Sequence, residues 1–222
     1  MTNAKKYRQI LVMAVVAVGF GLLTGAVLSG SMATWDALIY KGVAITINPV
    51  LTFIMVIVNY IGDWYGYVTL CLLLLLVPKT RVKLGIPVSA GLILSAVSNT
   101  LLKTGLMIPR PDINRLIAIS GYSYPSGHAM NGMMFCGLMV CLLTKNNNKK
   151  KTVLYPTLFG CWLLVLGWDR IYLGVHNFSD VLAGYLAGLF LVLIFCLVLS
   201  RQATSDNACK PESKAKEKPN CR

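Results

Sequence analysis

The chain has two histidines, and each stands where an apolar run begins, beside residues suited to an anion. His128 follows Pro125-Ser126-Gly127, and His176 lies between Arg170 and Asp180. Lys103 and Arg110 flank the end of an earlier apolar run. Phosphoryl transfer calls for such a set, because phosphate oxygens need positive charge that stays fixed as the transition state forms. Lys103, Arg110 and Arg170 supply that charge, and arginine adds forked contacts to phosphate oxygens. A helix starting after Pro125 would offer backbone N–H groups to an anion, and Gly127 has no side chain to keep phosphate from the backbone. A neutral histidine can attack phosphorus. Asp180 lies one helical turn from His176 and can hold its ring. The other histidine can protonate the leaving oxygen.

Taken singly, each piece has a plainer explanation. Lys103 and Arg110 could snorkel to lipid head groups, Pro125 could simply open a helix, and His176 with Asp180 could be a structural hydrogen bond. Arg170 could pair with Asp169 or Asp180. Taken together these explanations require separate segments to deliver three cations and both histidines to one face by chance.

Three sequence patterns identify the chain as resembling the type 2 phosphatidic acid phosphatases, in their bacterial, six-span membrane branch. Lys103, six residues and then Arg110-Pro111 form the first; Pro125-Ser126-Gly127-His128 is the second. The third, Arg170, five residues, His176, three residues and Asp180, keeps the family spacing, although Asp169 stands where the family has serine. The resemblance implies that His176 is a nucleophile forming a phosphohistidine, oriented by Asp180, with His128 as general acid. It also implies that Lys103, Arg110, Ser126, Gly127 and Arg170 hold the phosphate and that no metal or cofactor is needed. Two histidines and scattered carboxylates make a poor metal cage in any case. A carboxylate at 169 accepts hydrogen bonds and repels phosphate, so Asp169 is expected to turn away and pair with Arg170 or a lysine, and it could also lower activity or alter substrate choice.

The elements that must carry these residues are membrane helices. The chain of 222 residues is 56% hydrophobic and 13% charged, with a mean hydropathy of +0.65, and a span needs about 20 apolar residues. Spans are expected over 9–28, 48–77 with an interruption at Gly62-Asp63-Trp64, 84–103, 128–143, 152–172 and 178–199, with an interfacial stretch over 35–47. The fold class expected is all-α, with six transmembrane helices, one domain over 1–200 and a polar, Lys-rich, disordered tail over 201–222. The net charge of +13 is clustered beside the apolar runs, at Lys5, Lys6 and Arg8, at Lys79, Arg81 and Lys83, at Lys145 and Lys149 to Lys151, and from Arg201 onward. That is the positive-inside pattern rather than a nucleic-acid stripe. With a cytoplasmic N-terminus, all these clusters fall inside, and Asp36, Asp63, Asp112, Asp169 and Asp180 fall outside. The site is then expected at the outer ends of spans three to six. Cys71, Cys136, Cys141, Cys161 and Cys196 lie in apolar runs and Cys209 and Cys221 in the tail, so no disulfide framework is expected.

The function expected is hydrolysis of a lipid phosphomonoester or diphosphate at the outer face of a cell membrane: undecaprenyl diphosphate, phosphatidylglycerol phosphate or phosphatidate. Two other functions fit part of the pattern. A lipid phosphotransferase would use the same phosphohistidine, and a lipid-binding protein would keep the site as a relic. Lipids are the expected partners, and the sequence leaves the oligomeric state open.

Overall fold

A computed structural model describes residues 3–144 and 149–208, with side chains over 7–144 and 149–199. All regular elements among the described residues are helical. Helix α1 (Asn3–Leu28) holds the first apolar run, and α2 (Ala33–Ala44) the mixed stretch expected to be interfacial. The second run is broken into α3 (Pro49–Gly62) and α4 (Trp64–Leu76). A single turn, α5 (Pro78–Thr80), and a π-turn (Arg81–Gly85) lead into α6 (Ile86–Leu106). Then come α7 (Gly127–Leu143), α8 (Lys149–Tyr172) and α9 (Phe178–Ala208). α9 runs past Leu199 into the stretch expected to be tail. Lys145 and the tail from Cys209 to Arg222 lie outside the described residues.

Among the described residues, four segments are long and apolar enough to cross a membrane: Tyr7–Leu28, Pro78–Leu106, Lys149–Tyr172 and Phe178–Leu199. The α3–α4 pair reaches that length only as one span bent by 52°, which makes five. Six were expected from the sequence. The shortfall is α7, which has 17 residues, below the usual requirement of about 20. α7 is short because the segment before it, from Met107 to Ser126, is spent on a non-helical connection.

Local chemistry accounts for the broken span. The Asn48 side chain caps α3 by accepting from Leu51 N at 2.9 Å, and Pro49 sits in the first turn, where a missing N–H costs nothing. At the far end Asp63 is extended and its carboxylate accepts from Trp64 N at 2.7 Å, so a new helix starts on a new axis.

The core is organised around α7, which packs on α9, α8 and α6, while α1 covers α9. Close contact of α7 with α9 depends on Gly184 and Gly188. A Cβ at either would lie 2.6 Å from the Ser126 carbonyl oxygen or 2.7 Å from that of Met130, so small residues let the two backbones meet. The 107–126 connection is tied down by backbone bonds from Leu116 N to Leu173 O (3.0 Å), Ser123 N to Ile108 O (2.9 Å) and Ser126 N to Asp180 O (2.9 Å). α2 is fastened to α9 by the buried Asp36, whose carboxylate accepts from Ser179 N at 2.9 Å and Ser179 Oγ at 2.7 Å. These contacts converge on one end of the bundle, where α6 and α8 finish and α7 and α9 begin.

Candidate active site at the helix ends

His176 lies in the turn between α8 and α9, and Asp180 in the first turn of α9. The His176 ring is buried, and its Nδ1 stands 3.1 Å from Ser123 Oγ and 3.4 Å from Asp180 Oδ2. The Ser123 hydroxyl donates in turn to Asp180 Oδ2, which also accepts from Asn177 N at 2.8 Å. On the other side of the ring, Nε2 faces Arg110 Nη1 at 3.3 Å. A guanidinium only donates, so Nε2 is the acceptor and the proton resides on Nδ1. Burial, and then the charges of Lys103, Arg110 and Arg170, hold the His176 imidazole well below its usual range. The ring is therefore neutral at pH 7, with a lone pair on Nε2 and a carboxylate behind Nδ1.

His128 is carried in the first turn of α7, and Arg170 near the end of α8. The guanidinium of Arg170 is fully buried. Asp169 Oδ2 accepts from its Nε at 2.8 Å and also from its Nη2, and both side chains have no exposed surface. Asp169 thus turns to Arg170, one of the cations it was expected to pair with. Arg170 Nη2 reaches Asn59 Oδ1 at 2.5 Å, while Nη1 lies 3.5 Å from His128 Nδ1. The backbone carbonyl of Arg170 accepts from His176 N at 3.3 Å, so this one residue touches both histidines.

Loop carbonyls fix the two other cations. Lys103 Nζ donates to the carbonyls of Tyr122 (2.6 Å) and Ser123 (3.3 Å). Arg110 donates through Nε to Gly121 O (3.0 Å) and through Nη1 to Val175 O (2.9 Å). Ser126 is the N-cap of α7, fully buried, and its Oγ has no hydrogen-bond partner among the described residues. Gly127 follows it, where a Cβ would lie 3.1 Å from Asn99 Oδ1. A fully buried hydroxyl without a partner is costly, and here it sits at a helix N-terminus, where an anion is favoured.

The structure therefore gathers every residue singled out from the sequence, and it adds two. Ser123 bridges His176 Nδ1 and Asp180 Oδ2, in addition to the direct 3.4 Å contact between those two. Its signal in the sequence is weak, because a serine in a Gly- and Tyr-rich loop has no fixed spacing to either partner. Asn59 comes from α3, far away in the chain. The signal there is an amide within an otherwise apolar run, a costly placement without a partner.

Two outcomes follow from these contacts. Asp169→Ala leaves the Arg170 charge buried beside a cavity, and removing one partner of a buried pair costs about 3–5 kcal/mol. Thermal unfolding in detergent should show a clearly lowered Tm, and an unchanged Tm would mean the pair carries no such load. The second outcome concerns pH. The folded His176 holds its proton less tightly than the unfolded chain, whose histidine titrates near 6.5. Its contribution to stability is complete above that pH and is lost as pH falls below it, at about 1.4 kcal/mol per pH unit at most. Replacing it in His176→Asn should flatten the decline in stability between pH 6.5 and 5, and an unaltered slope would contradict the depressed value.

Comparison with known proteins gives this geometry its context. The PAP2 superfamily profile matches residues 84–203, just over half the chain. Phosphatidylglycerophosphatase B of Bacillus subtilis is 35% identical over 99 residues, covering 43% of this chain and 48% of that protein. The undecaprenyl-diphosphatase of Sulfolobus acidocaldarius is 29% identical over 149 residues, covering 61% of this chain and 64% of its own. Both matches thus span less than two thirds of the relative's length. In crystal structures, the transmembrane PAP2-type phosphatidylglycerolphosphate phosphatase of Bacillus subtilis superposes with a TM-score of 0.75 over 90% of this chain and 98% of its own, at 24% identity, a likeness of fold. With the helix-end cluster of two histidines and three cations lying within or beside the matched segment, the chain belongs to the PAP2 superfamily.

Proposed function

We propose that this protein is a membrane lipid phosphatase, which hydrolyses a phosphomonoester or diphosphate of an amphiphile through a phosphohistidine on His176. One observation supports the reading above others: His176 Nε2 has its lone pair on the side of Arg110, while Nδ1 is held by Ser123 and Asp180. Lys103, Arg110, Ser126, Gly127 and Arg170 surround the phosphate. Nε2 attacks phosphorus, the bond from phosphorus to the lipid oxygen breaks, and His128 gives that oxygen a proton. Asp180, through Ser123, stabilises the positive charge that builds on His176. Water then attacks the phosphohistidine, His128 takes up a proton from it, and the N–P bond breaks to release inorganic phosphate.

In this reading the charge that a metal would otherwise provide comes from the three cations Lys103, Arg110 and Arg170. The relatives named above suggest phosphatidylglycerol phosphate or undecaprenyl diphosphate as the lipid. In this reading α3–α4 and α7 complete six spans in a bacterial cytoplasmic membrane. The basic end, with Arg81 and Lys149 to Lys151, is cytoplasmic, and the site faces outward at head-group level.

His176→Ala should abolish phosphate release from phosphatidylglycerol phosphate, phosphatidate or undecaprenyl diphosphate by orders of magnitude while the protein stays folded, and wild-type release should survive chelation of divalent ions. Substantial turnover by the folded variant would remove His176 from the mechanism. If a labelled acceptor lipid took up the phosphoryl group in place of water, the protein would be a transferase. For the topology, a cysteine placed at Ser120 in a background cleared of native cysteines should react with an impermeant reagent applied outside, and one at Lys150 should not. The opposite pattern would put the site on the inner face.

A further inference from the structure

We infer that Asn59 is a positioning residue of this site, holding Arg170 and His128 together from a segment that lies outside the family-matched region of residues 84–203. This inference rests on the phosphatase reading above.

Three observations on α3 carry it. First, the side-chain oxygen of Asn59 accepts from Arg170 Nη2 at 2.5 Å. With Asp169 on Nε and Nη2, that contact fixes the plane of the guanidinium. Nη1 is left as the edge next to His128, the edge from which phosphate oxygens can be met. Second, the backbone carbonyl of Asn59 lies 3.3 Å from His128 Nε2. That carbonyl is available because α3 ends at Gly62 and Asp63 turns extended, and the last carbonyls of a helix have no partner within it. Third, the end of α3 is pressed against the ring: a Cβ on Gly62 would lie 3.2 Å from His128 Cδ2 and 2.4 Å from Leu166 Cδ2.

The two faces of His128 are thus assigned by their neighbours. A carbonyl only accepts, so Nε2 carries the proton. A guanidinium only donates, so Nδ1 carries the lone pair. Asn59 and Arg170 impose the same tautomer from opposite sides, with Nε2–H held by the Asn59 carbonyl and the Nδ1 lone pair facing Arg170. This is the reverse of His176, where the proton lies on Nδ1. The two rings thus enter as opposite tautomers, and His128 serves as acid once its Nδ1, on the side of Arg170, takes up a second proton. Asn59 acts on this through Arg170 and through where α3 places its carbonyl. It is not itself a catalytic residue.

The test is a double-mutant cycle on the full-length protein in detergent, with phosphate release from phosphatidylglycerol phosphate as the readout. Asn59→Ala should raise KM and lower kcat/KM roughly ten- to hundredfold, the range for losing a hydrogen bond to a charged or ligand-holding group. Arg170→Lys cannot make the forked contacts, so in that background Asn59→Ala should add little. Strong non-additivity of this kind marks two residues working as one unit. A residue that merely stabilised the fold would give additive losses and an unchanged KM. If Asn59→Ala does not fold, Asn59→Ser, whose hydroxyl falls short of Arg170, provides the same comparison. Wild-type KM and kcat in the folded variants, or additive losses across the cycle, would overturn the inference while leaving the phosphatase reading intact. Failure of the wild-type protein to release phosphate from any lipid would instead remove the reading on which it rests.

Discussion

A guanidinium with no exposed surface is the constraint around which this end of the molecule is built. Arg170 is fully buried, and an unpaired charge there would cost several kcal/mol. Asp169 meets part of that demand from the adjacent position, and Asn59 another part from a distant helix. Arg170 then joins both histidines, the His176 backbone through its own backbone carbonyl and the His128 ring through Nη1. Moving this residue would disturb the His128 ring directly and the backbone that carries His176. The family pattern places serine beside this arginine. Here a carboxylate takes that place, faces the arginine, and joins the structure that holds it.

The fold meets this constraint by bringing helix ends of alternating direction to one level. α6 and α8 finish there, and α7 and α9 begin there, so last-turn cations on two helices meet first-turn histidine and carboxylate on the others. The segments outside the matched family region complete the assembly. α2 reaches in with Asp36 to cap the start of α9 one residue before Asp180. α3 stops short of its continuation and leaves a carbonyl for His128. The break between α3 and α4 interrupts the span yet supplies a site contact, which only a helix terminus can offer.

The two histidines show how like residues acquire unlike surroundings. Each has an arginine on one side of the ring, but that arginine faces Nε2 in His176 and Nδ1 in His128. A guanidinium cannot accept, so each ring places its lone pair on that side and its proton on the other. What lies behind the proton then differs. For His176 it is a serine backed by a carboxylate, which can stabilise a positive ring; for His128 it is a neutral backbone carbonyl. This difference comes from the environment, and the histidines' sequence surroundings state only half of it.

The sequence by itself determined the helical class, the spacing of His176 with Arg170 and Asp180, and the charge clusters at the opposite end. Those features are local: hydrophobic runs, turn-length intervals and motif order are written along the chain and do not depend on which segments meet. It also exposed the conflict at Asp169 and the expected pairing with a cation. Tertiary structure alone decided that Asp169 lies against Arg170, that Ser123 bridges His176 and Asp180, and that Asn59 joins the site from α3. It also decided that α7 is shorter than a full span, because the connection before it is drawn into the site. Each of these depends on packing between segments far apart in sequence, where burial of a charge or of an unpaired polar atom fixes which distant group must arrive to satisfy it.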